Sequence, residues 1–545
     1  MFLEDKIYTL EGSNKIIQNS EILNIENPEK IIQAHKNSIK NGVDIIKTNT
    51  FQANKLKISK TKYTVEQIIK SAIENAKKAN AKHIAINIGP IEKTKESFED
   101  FEIIYNLYKE QILYAEKYGV DMIYIEQMSS LIQAKAAIIA SKENSNLPIL
   151  CSMQLNENLK TSKGTDIITI SNVLSSLKIN AIGFNYLPKS DEIIKIIKEF
   201  LKYTNTPLII NPSIENNINL NKYEEIIKKG IKFIDSTHFI SKNKTKELCQ
   251  YIKDKKYKPN NAEEYTATSS NSKTVFLGQG LKLIGERINP AGKIKLQNSI
   301  KNKNYDEIIK LALKQKNEGA DILDINVSVK STNEKENMVN IIKSIQSTVD
   351  IPLQIDSMNS EVIENAVRIY NGKPIINSVN GKQSSMDKIF PIAKKYGALI
   401  IALTFDDDGI PKTIQKRVDI AEKIIKEAQK YQINKKDLIF DTLALTALSH
   451  PEQTQKTLKA LKIIKEKFKV CTTLGISNIS FGLPYRKVIN STFLAFALTN
   501  GVDVPILNTK DEKIIETINA YKVLYNQDKN SKEFIKKYSQ KNNWS

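Results

Sequence analysis

Short apolar runs rich in Ile and Val alternate along the chain with longer stretches in which apolar residues recur every three or four positions. Runs of the first kind are typical of buried parallel strands, and stretches of the second kind are typical of amphipathic helices. The first half contains eight such runs: YTLEG, DIIKTNTF, HIAINIG, DMIYIEQ, PILCSMQL, AIGFNYL, PLIINPS and KFIDST. Strand–helix units repeated in this way predict an α/β fold built around parallel strands.

A polar stretch then interrupts the pattern, and between Asp254 and Lys273 it has no apolar periodicity, which indicates a linker. The pattern restarts with eight further runs: LIGERIN, DILDINV, PLQIDS, PIINSVN, LIIALTF, LIFDT, CTTLGISN and VPILN. Eight units in each half, over roughly 240–270 residues, favour two consecutive TIM (β/α)8 barrels over one doubly wound sheet. The predicted domains are a first barrel over 1–253, a linker over 254–276 and a second barrel over 277–545, with a closing helix after Asn508 and a ragged end at KNNWS.

Composition narrows the class of protein. The 545 residues are 41% hydrophobic and 26% charged, as in ordinary globular proteins, and no apolar run approaches the roughly 18–20 residues that span a bilayer. The first residues, MFLEDKIYTLEG, carry acids where a signal peptide needs a basic and then an apolar stretch. The three scattered cysteines are too few for a disulfide framework or a cysteine-built zinc site. We therefore expect a cytoplasmic enzyme without a membrane segment.

The net charge of +20 raises the question of nucleic-acid binding. Nearly all of the excess is Lys on helical stretches such as IIKSAIENAKKANAK, and the chain has only four arginines. Arg is the preferred reader of phosphates and base edges, so the pattern indicates solvated helix faces and no nucleic-acid partner.

Polar residues cluster where the predicted strands of the second half end. Catalytic groups in a TIM barrel sit at these carboxyl ends, while the strands themselves are apolar. The residues concerned are Glu286, Asn289, Asp324, Asn326, Asp356, Asn377, Asp441 and Asn478. A single Asp or Asn at such a position is more often a turn former or a helix cap. Six strand ends that direct such residues at one mouth indicate a binding site.

This mouth offers carboxylates and amides, without a His or Cys cluster and without a glycine-rich phosphate loop, so neither a metal nor a nucleotide is favoured. Asp and Asn side chains pair well with the edge of an amidine-like heterocycle, which presents adjacent donors and acceptors. A pterin ring has such an edge.

Six segments of the second half carry a family resemblance: GERINPAGK (285–293), DILDINVSV (321–329), IDS (355–357), IINSVN (375–380), IFD (439–441) and LGISNIS (474–480). Together they resemble the pterin-binding methyltransferases, that is, the folate barrel of cobalamin-dependent methionine synthase and the methyltetrahydrofolate:corrinoid protein methyltransferases. The likeness covers roughly 277–515. The dihydropteroate synthases are a weaker match, because their DSF segment, their STRPG loop and their IND in place of INS are missing here.

The resemblance implies that Asp356, Asn377 and Asp441 hydrogen-bond the pterin ring of methyltetrahydrofolate, and that Asn478 contacts the methyl-bearing nitrogen as the catalytic residue. The neighbouring strand-end residues expected to complete the pterin site are Glu286, Asn289, Asp324 and Asn326. A tertiary amine is a poor leaving group unless it is protonated in the transition state. An Asn amide oxygen accepts a hydrogen bond from that proton and so stabilises the developing charge.

The methyl acceptor in this family is cob(I)alamin. The signature of a cobalamin module is D-x-H-x-x-G, and His35, His83, His238 and His450 all fall outside it. We therefore expect the cobalamin or corrinoid to arrive on a separate protein that docks at the mouth of the second barrel.

The first half resembles the homocysteine S-methyltransferase domain of methionine synthase. The segments that carry this likeness are NIENPEKIIQAH (24–35), GVDIIKTNTFQAN (42–54), NIGP (87–90), GVDMIYIEQ (119–127) and GFN (183–185). The resemblance implies that Glu126 and Asn185 lie in a substrate pocket.

The family binds zinc through a cysteine directly after that Asn and through a Cys-Cys pair after the eighth strand, and the zinc holds homocysteine as a thiolate. This chain has Tyr186 at the first position, and Asp235 and Ser236 near the second. Asp235 and His238 without a thiolate make a poor zinc site, so zinc is expected to be absent. The first barrel is predicted to be a degenerate relative, kept as a scaffold, a docking surface or a pocket for another small molecule.

The sequence thus predicts a methyltransferase that acts between 5-methyltetrahydrofolate and a separately carried corrinoid. Two alternatives remain open: a methionine synthase component that methylates homocysteine with a partner, and a non-catalytic folate-binding or docking module. A dihydropteroate synthase ranks last.

Overall fold

The computed structural model describes residues 6–12, 20–92, 100–186, 190–212, 224, 230–237 and 242–539. The chain divides into two compact units, Met1–Glu263 and Glu264–Ser545. Each unit holds eight parallel strands that alternate with helices, which confirms the predicted pair of TIM barrels. In the described part of the chain, no helix is both long enough and apolar enough to cross a bilayer.

The first barrel is closed, with neighbouring strands in sequence order and β1 paired to β8. Its strands are β1 (Tyr8–Gly12), β2 (Ile45–Lys47), β3 (His83–Ile88), β4 (Met122–Met128), β5 (Ile149–Gln154), β6 (Ala181–Tyr186), β7 (Leu208–Pro212) and β8 (Ile231–Asp235). Each of the eight predicted runs overlaps one of these strands, and the strand bounds agree to within a residue or are shorter than the run.

In the described part of this unit, helices alternate with the strands of the barrel. They are Leu23–Glu26, Pro28–Lys40, Lys55–Ile58, Val65–Lys78, Phe101–Tyr118, Leu131–Asn144, Ile167–Ser176, Ser190–Leu201 and Lys242–Ile252. The helix Val65–Lys78 illustrates how the sequence determines a helix and its buried face. Thr64 and Gln67 form a capping box at its start, and Ile68, Ile69 and neighbouring apolar residues are buried.

The eight strands of the second barrel lie side by side in sequence order with the last strand paired to the first, and a single bridge between Gly475 and Ile506 brings the two ends of the sheet together. Its strands are β11 (Ile284–Ile288), β12 (Ile322–Ile325), β13 (Leu353–Asp356), β14 (Ile375–Asn380), β15 (Leu399–Leu403), β16 (Leu438–Asp441), β17 (Cys471–Thr473) and β18 (Ile506–Leu507). Again, each predicted run contains one strand.

The helices of the second unit are Ile294–Lys301, Asp306–Asn317, Glu334–Thr348, Ser360–Ile369, Gln383–Tyr396, Ile414–Lys430, Gln453–Phe468, Arg486–Thr499, Glu512–Leu524 and Lys532–Tyr538. Glu512–Leu524 is the helix predicted after Asn508. The helix Lys532–Tyr538 was not anticipated, and the predicted ragged end KNNWS lies outside the described residues.

The segment 254–276, predicted to be a linker, belongs partly to the first unit and partly to the second. Lys258 accepts a backbone hydrogen bond from Gly230 in the first unit. Residues 266–277 form an antiparallel hairpin of β9 (Thr266–Ser269) and β10 (Thr274–Leu277) in the second unit, where Val275 and Leu277 join the apolar core. Residues 266–276 are therefore part of the second unit and not a linker. Their strands lack apolar periodicity because Thr and Ser side chains make buried hydrogen bonds here, as when Thr268 Oγ1 donates to the carbonyl of Lys373.

Alternation of side chains along the strands decides what faces each mouth, because every second residue points inward. In the first barrel, Ile45, Ala85, Tyr124, Ile209 and Phe233 belong to the apolar layer inside. Two positions further along the same strands come Lys47, Asn87, Glu126, Asn211 and Asp235. In the second barrel, inward-facing Ile284, Ile322, Ile375 and Ile439 are likewise followed by Glu286, Asp324, Asn377 and Asp441.

Candidate active site

A cavity of about 870 Å³ opens at the carboxyl ends of β12 to β15 in the second barrel. Asn326, Asp356 and Asn377 stand on its polar wall, and Leu403 and Phe405 stand on its apolar wall. Small-molecule sites are about 300–1,000 Å³ and combine apolar lining with a few converging polar groups, so this cavity has the size and the composition of a binding site.

Asp356 is the carboxylate on the cavity wall. Its Oδ2 accepts a hydrogen bond from Asn326 Nδ2 at 3.0 Å. Burial raises the pKa of Asp356, while the bond from Asn326 opposes that rise. Asn326 therefore fixes the orientation of the carboxylate and favours its charged form.

Asp324 lies one layer deeper and is buried. Its Oδ1 accepts a hydrogen bond from Gln354 Nε2 at 2.6 Å, and it is also hydrogen-bonded to Asn377. Burial, together with the nearby charge of Asp356, raises the pKa of Asp324 well above its usual range. Asp324 thus supports Asn377 from below, and it is not among the residues that line the cavity.

Asp441 faces inward at the end of β16 and is 8% exposed. It pairs in register with Leu403, which lines the cavity, and its Oδ1 accepts a hydrogen bond from the backbone N–H of Leu443 at 2.7 Å. Burial raises the pKa of Asp441 to about 7. A carboxyl group with this pKa can accept or donate a hydrogen bond near neutral pH.

Asn478 is exposed in the short helical turn Ile476–Ser480 that follows β17. The preceding residue, Ser477, donates its hydroxyl proton to Glu286 Oε1 at 2.6 Å, and burial raises the pKa of Glu286. Arg486 holds this turn by donating to the carbonyl of Ser477 at 2.8 Å. β11 and β17 flank β18, so Glu286 and Asn478 form a second group across the mouth from β13 and β14.

Asn289, the remaining predicted residue, stabilises its own loop, because its Oδ1 accepts a hydrogen bond from the N–H of Ala291 at 3.0 Å. It is half-buried and is not among the cavity-lining residues.

In the first barrel, Glu126 and Asn185 both face inward and are buried. Glu126 Oε1 accepts a hydrogen bond from Lys47 Nζ at 2.9 Å. Neither side-chain polar atom of Asn185 has a partner among the described residues. Lys47 was not predicted to be part of a site, although a Lys inside a buried strand is itself a signal, since Lys is almost never fully buried unless it is paired.

The described residues of the first barrel do not fit the zinc that its family resemblance implies. Within the described residues, no group of three or more His, Cys, Asp or Glu side chains is arranged to hold a metal. Asp235 is already bonded to Lys47 Nζ at 2.8 Å, and His238 lies outside the described residues. The cysteines Cys151, Cys249 and Cys471 are free and buried.

Each half of the chain matches the model of a known protein family. Residues 3–285 match the family model described as homocysteine S-methyltransferase, and residues 285–508 match the one described as pterin binding enzyme. Since the first match covers more than half of the chain, this protein belongs to the homocysteine S-methyltransferase family.

Curated relatives match either nearly the whole chain or about half of it. Methionine synthase of Mycobacterium tuberculosis is 24% identical over 92% of this chain and 46% of its own length. The methylcorrinoid:tetrahydrofolate methyltransferase of Eubacterium limosum is 28% identical over 47% of this chain and 96% of its own length. A crystal structure of the homocysteine methyltransferase of Escherichia coli in its metallated form covers 46% of this chain at 16% identity, with a TM-score of 0.40. The chain spans about half the length of the methionine synthases it matches.

Proposed function

We propose that the second barrel transfers a methyl group between 5-methyltetrahydrofolate and a corrinoid. The observation that carries this proposal is the set of inward-facing polar residues around one cavity, with Asp356 and Asn377 on its wall and Asp441 one strand beyond it. The match of residues 285–508 to the pterin binding enzyme model supports it, and so does the match of 47% of the chain to a methyltransferase named for methylcorrinoid and tetrahydrofolate.

The cavity suits the two ends of a folate. Carboxylates and an amide at Asp356, Asn377 and Asp441 provide acceptors and donors for the edge of a pterin ring. Lys382 and Lys388 also line the cavity, at the start of the helix Gln383–Tyr396. Two ammonium groups in this place favour a ligand whose far end carries carboxylates, as the glutamate tail of folate does.

Asn478 has the catalytic part in this proposal. When the bond between the ring nitrogen and the methyl carbon breaks, the electron pair stays on nitrogen, and a proton on that nitrogen makes it a better leaving group. The Oδ1 atom of Asn478 accepts a hydrogen bond from that proton, and Glu286 is linked to the same turn through Ser477. The corrinoid, when bound, supplies the cobalt centre that exchanges the methyl group.

We infer that the corrinoid is carried by a separate protein, and the match of this chain to 96% of the length of a methylcorrinoid:tetrahydrofolate methyltransferase supports this inference. Exposed apolar side chains in the loops that follow the strands of the second barrel support a protein partner at this face. They are Met358 after β13, Ile410 after β15, Leu448 after β16, and Phe481 and Tyr485 after β17. We place the reaction in the cytoplasm, since the cysteines are free.

The test mixes the protein with 5-methyltetrahydrofolate and cob(I)alamin and follows methylcobalamin by absorbance. We expect methylcobalamin to form, and Asn478→Ala to slow its formation about a hundredfold, the usual loss when one group that stabilises transition-state charge is removed. The control is Asn317→Ala, an exposed residue at the end of a helix that leads into β12 at the opposite end of the barrel. Folate binding without methylcobalamin would instead identify a non-catalytic binding module.

A second candidate function, a methionine synthase component, is favoured by the match of 92% of this chain to methionine synthase. It requires that the first barrel activate homocysteine. Methionine formation that depends on homocysteine and a corrinoid protein would establish this second function. If methylcobalamin forms but methionine does not, only the first proposal stands.

A further inference from the structure

The first barrel contains a fully buried ammonium group at the base of its mouth. Lys47 ends β2, and its side chain has no exposed surface. Its Nζ lies 2.8 Å from Asp235 Oδ2 and 2.9 Å from Glu126 Oε1, and both carboxylates are also fully buried. The same Nζ lies 5.2 Å from the centre of the Tyr124 ring. One lysine thus bridges the inward-facing carboxylates of β4 and β8.

The donors around Asp235 leave it little capacity for a metal. Thr237 donates to Asp235 Oδ1 from its backbone N–H at 3.0 Å and from its hydroxyl at 2.6 Å. Tyr124 donates to Oδ2 at 3.3 Å, beside the bond from Lys47. Both oxygens of Asp235 therefore accept hydrogen bonds already.

The charges of this cluster follow from the geometry. Burial opposes the charge of Lys47, but Asp235 and Glu126 outweigh it and raise the pKa of Lys47. Burial likewise opposes the charge of Asp235, yet Lys47 and Thr237 hold the pKa of this carboxyl below its usual range. Lys47 and Asp235 thus form an ion pair at neutral pH, and a metal cation placed between the two carboxylates would have to displace the ammonium.

We propose that the Lys47 ammonium is a permanent internal cation that replaces zinc in the first barrel, so that this barrel binds its ligand through hydrogen bonds and not through a metal–thiolate bond. Asp235, which it holds, stands near the position where the family resemblance places two zinc cysteines. The inference concerns the first barrel alone and does not depend on methyl transfer by the second.

Unpartnered buried atoms indicate where such a ligand binds. Among the described residues, both side-chain polar atoms of Asn185, Nδ2 of Asn211 and Oδ1 of Asn87 have no hydrogen-bond partner. These residues are at most 5% exposed, and all face inward at the carboxyl ends of their strands. Buried polar groups are costly when unpaired, so a small ligand that carries both donors and acceptors would satisfy them.

Metal analysis of the wild-type protein is the first test. After incubation with zinc and removal of free metal, we expect well under one zinc ion per chain. One bound zinc per chain that is lost in Asp235→Asn would overturn the proposal.

The second test removes the ammonium. Lys47→Met leaves two buried carboxylates uncompensated, and we expect the melting temperature to fall by roughly 10 °C. The triple variant Lys47→Met, Glu126→Gln, Asp235→Asn should recover most of this loss, and Lys55→Met, an exposed lysine, is the control. If Lys47→Met does not fold, folding of the triple variant supports the internal-cation role. An unchanged melting temperature of Lys47→Met, or a triple variant no better than the single one, contradicts it.

The third test uses homocysteine as a thiol probe in calorimetry. We expect zinc to leave its affinity for the wild-type protein unchanged. A tenfold or larger gain in affinity on addition of zinc would show a metal-anchored thiolate and overturn the proposal. Methylcobalamin formation by the second barrel, measured on the same preparation, reports separately on the proposed function.

Discussion

A Cβ atom on Gly475 would lie 2.7 Å from Nδ2 of Asn478, closer than real Cβ contacts allow. The side chain of Asn478 therefore folds back over the backbone of Gly475 in the turn after β17, and only a glycine leaves it room there. The turn is also fixed from its other side, since Arg486 donates to the carbonyl of Ser477 and to the hydroxyl of Ser480. The position of the proposed catalytic amide thus depends on a neighbour that has no side chain.

Gly475→Ala should displace the Asn478 side chain and slow methylcobalamin formation about tenfold, with a smaller change in folate affinity. Misplacement of a catalytic group by about 1 Å is enough for losses of this order or larger. If Gly475 acts through Asn478, the same substitution should cost almost nothing more in an Asn478→Ala background. An equal further loss in that background would show that Gly475 acts by another route.

Asp441 predicts a pH dependence of stability. Its pKa is raised from 3.8 to about 7 in the folded protein, so between these values the folded state binds more protons than the unfolded one. Stability contributed by the neutral carboxyl is therefore present at pH 4 and is lost as the pH rises toward 7. At about 1.4 kcal/mol per pH unit, the loss is at most about 4 kcal/mol.

Urea unfolding of wild type and Asp441→Asn at pH 5 and pH 8 measures this effect. The wild type should lose stability between the two pH values by more than the variant does, because an amide does not titrate. Parallel pH profiles of the two proteins would show that Asp441 has an ordinary pKa.

The barrel strands were predictable from sequence because most of them lie in short apolar runs that are largely buried, and this pattern is local. The hairpin 266–277 was not, since its buried residues include Thr266 and Thr268, whose hydroxyls donate to the carbonyls of Lys436 and Lys373 more than 100 positions away. Lys47 was missed for the same reason: Glu126 and Asp235 are 79 and 188 residues from it in sequence.

The polar residues at the mouth of the second barrel were predictable because they stand at strand ends. Their different hydrogen-bonding roles were not predictable from that position. Asn326 and Asn289 both accept a hydrogen bond from the N–H two residues later. Only Asn326 is also found donating to a carboxylate on the next strand, Asp356. That difference depends on how neighbouring loops are placed in space, and no local pattern encodes it.

Asp356→Asn should weaken folate binding about tenfold to a hundredfold, because a charge-assisted hydrogen bond to the ring becomes a neutral one. Calorimetric titration with 5-methyltetrahydrofolate measures the change. Asp419→Asn is the matched control, since Asp419 lies on the exposed side of the helix Ile414–Lys430. Equal affinities of wild type and Asp356→Asn would remove Asp356 from the binding site.

The exposed apolar side chains around the mouth of the second barrel predict a surface that binds a corrinoid protein. Such a surface should affect the reaction with a protein-borne corrinoid but not the reaction with free cobalamin. Leu448 is 59% exposed and Tyr485 is 74% exposed, and Gly482 packs against Leu448 so that the loops after β16 and β17 form one surface. Leu448→Asp and Tyr485→Asp should therefore lower the rate with a corrinoid protein about tenfold or more, because a charge is placed in an apolar contact. The rate with free cobalamin should stay near that of wild type.

Leu524→Asp, which alters an 81% exposed residue on the helix Glu512–Leu524, is the control for the effect of an added surface charge. Equal losses with free and protein-borne corrinoid would mean that these residues act on the cavity itself, and no loss with either would place the partner on another face.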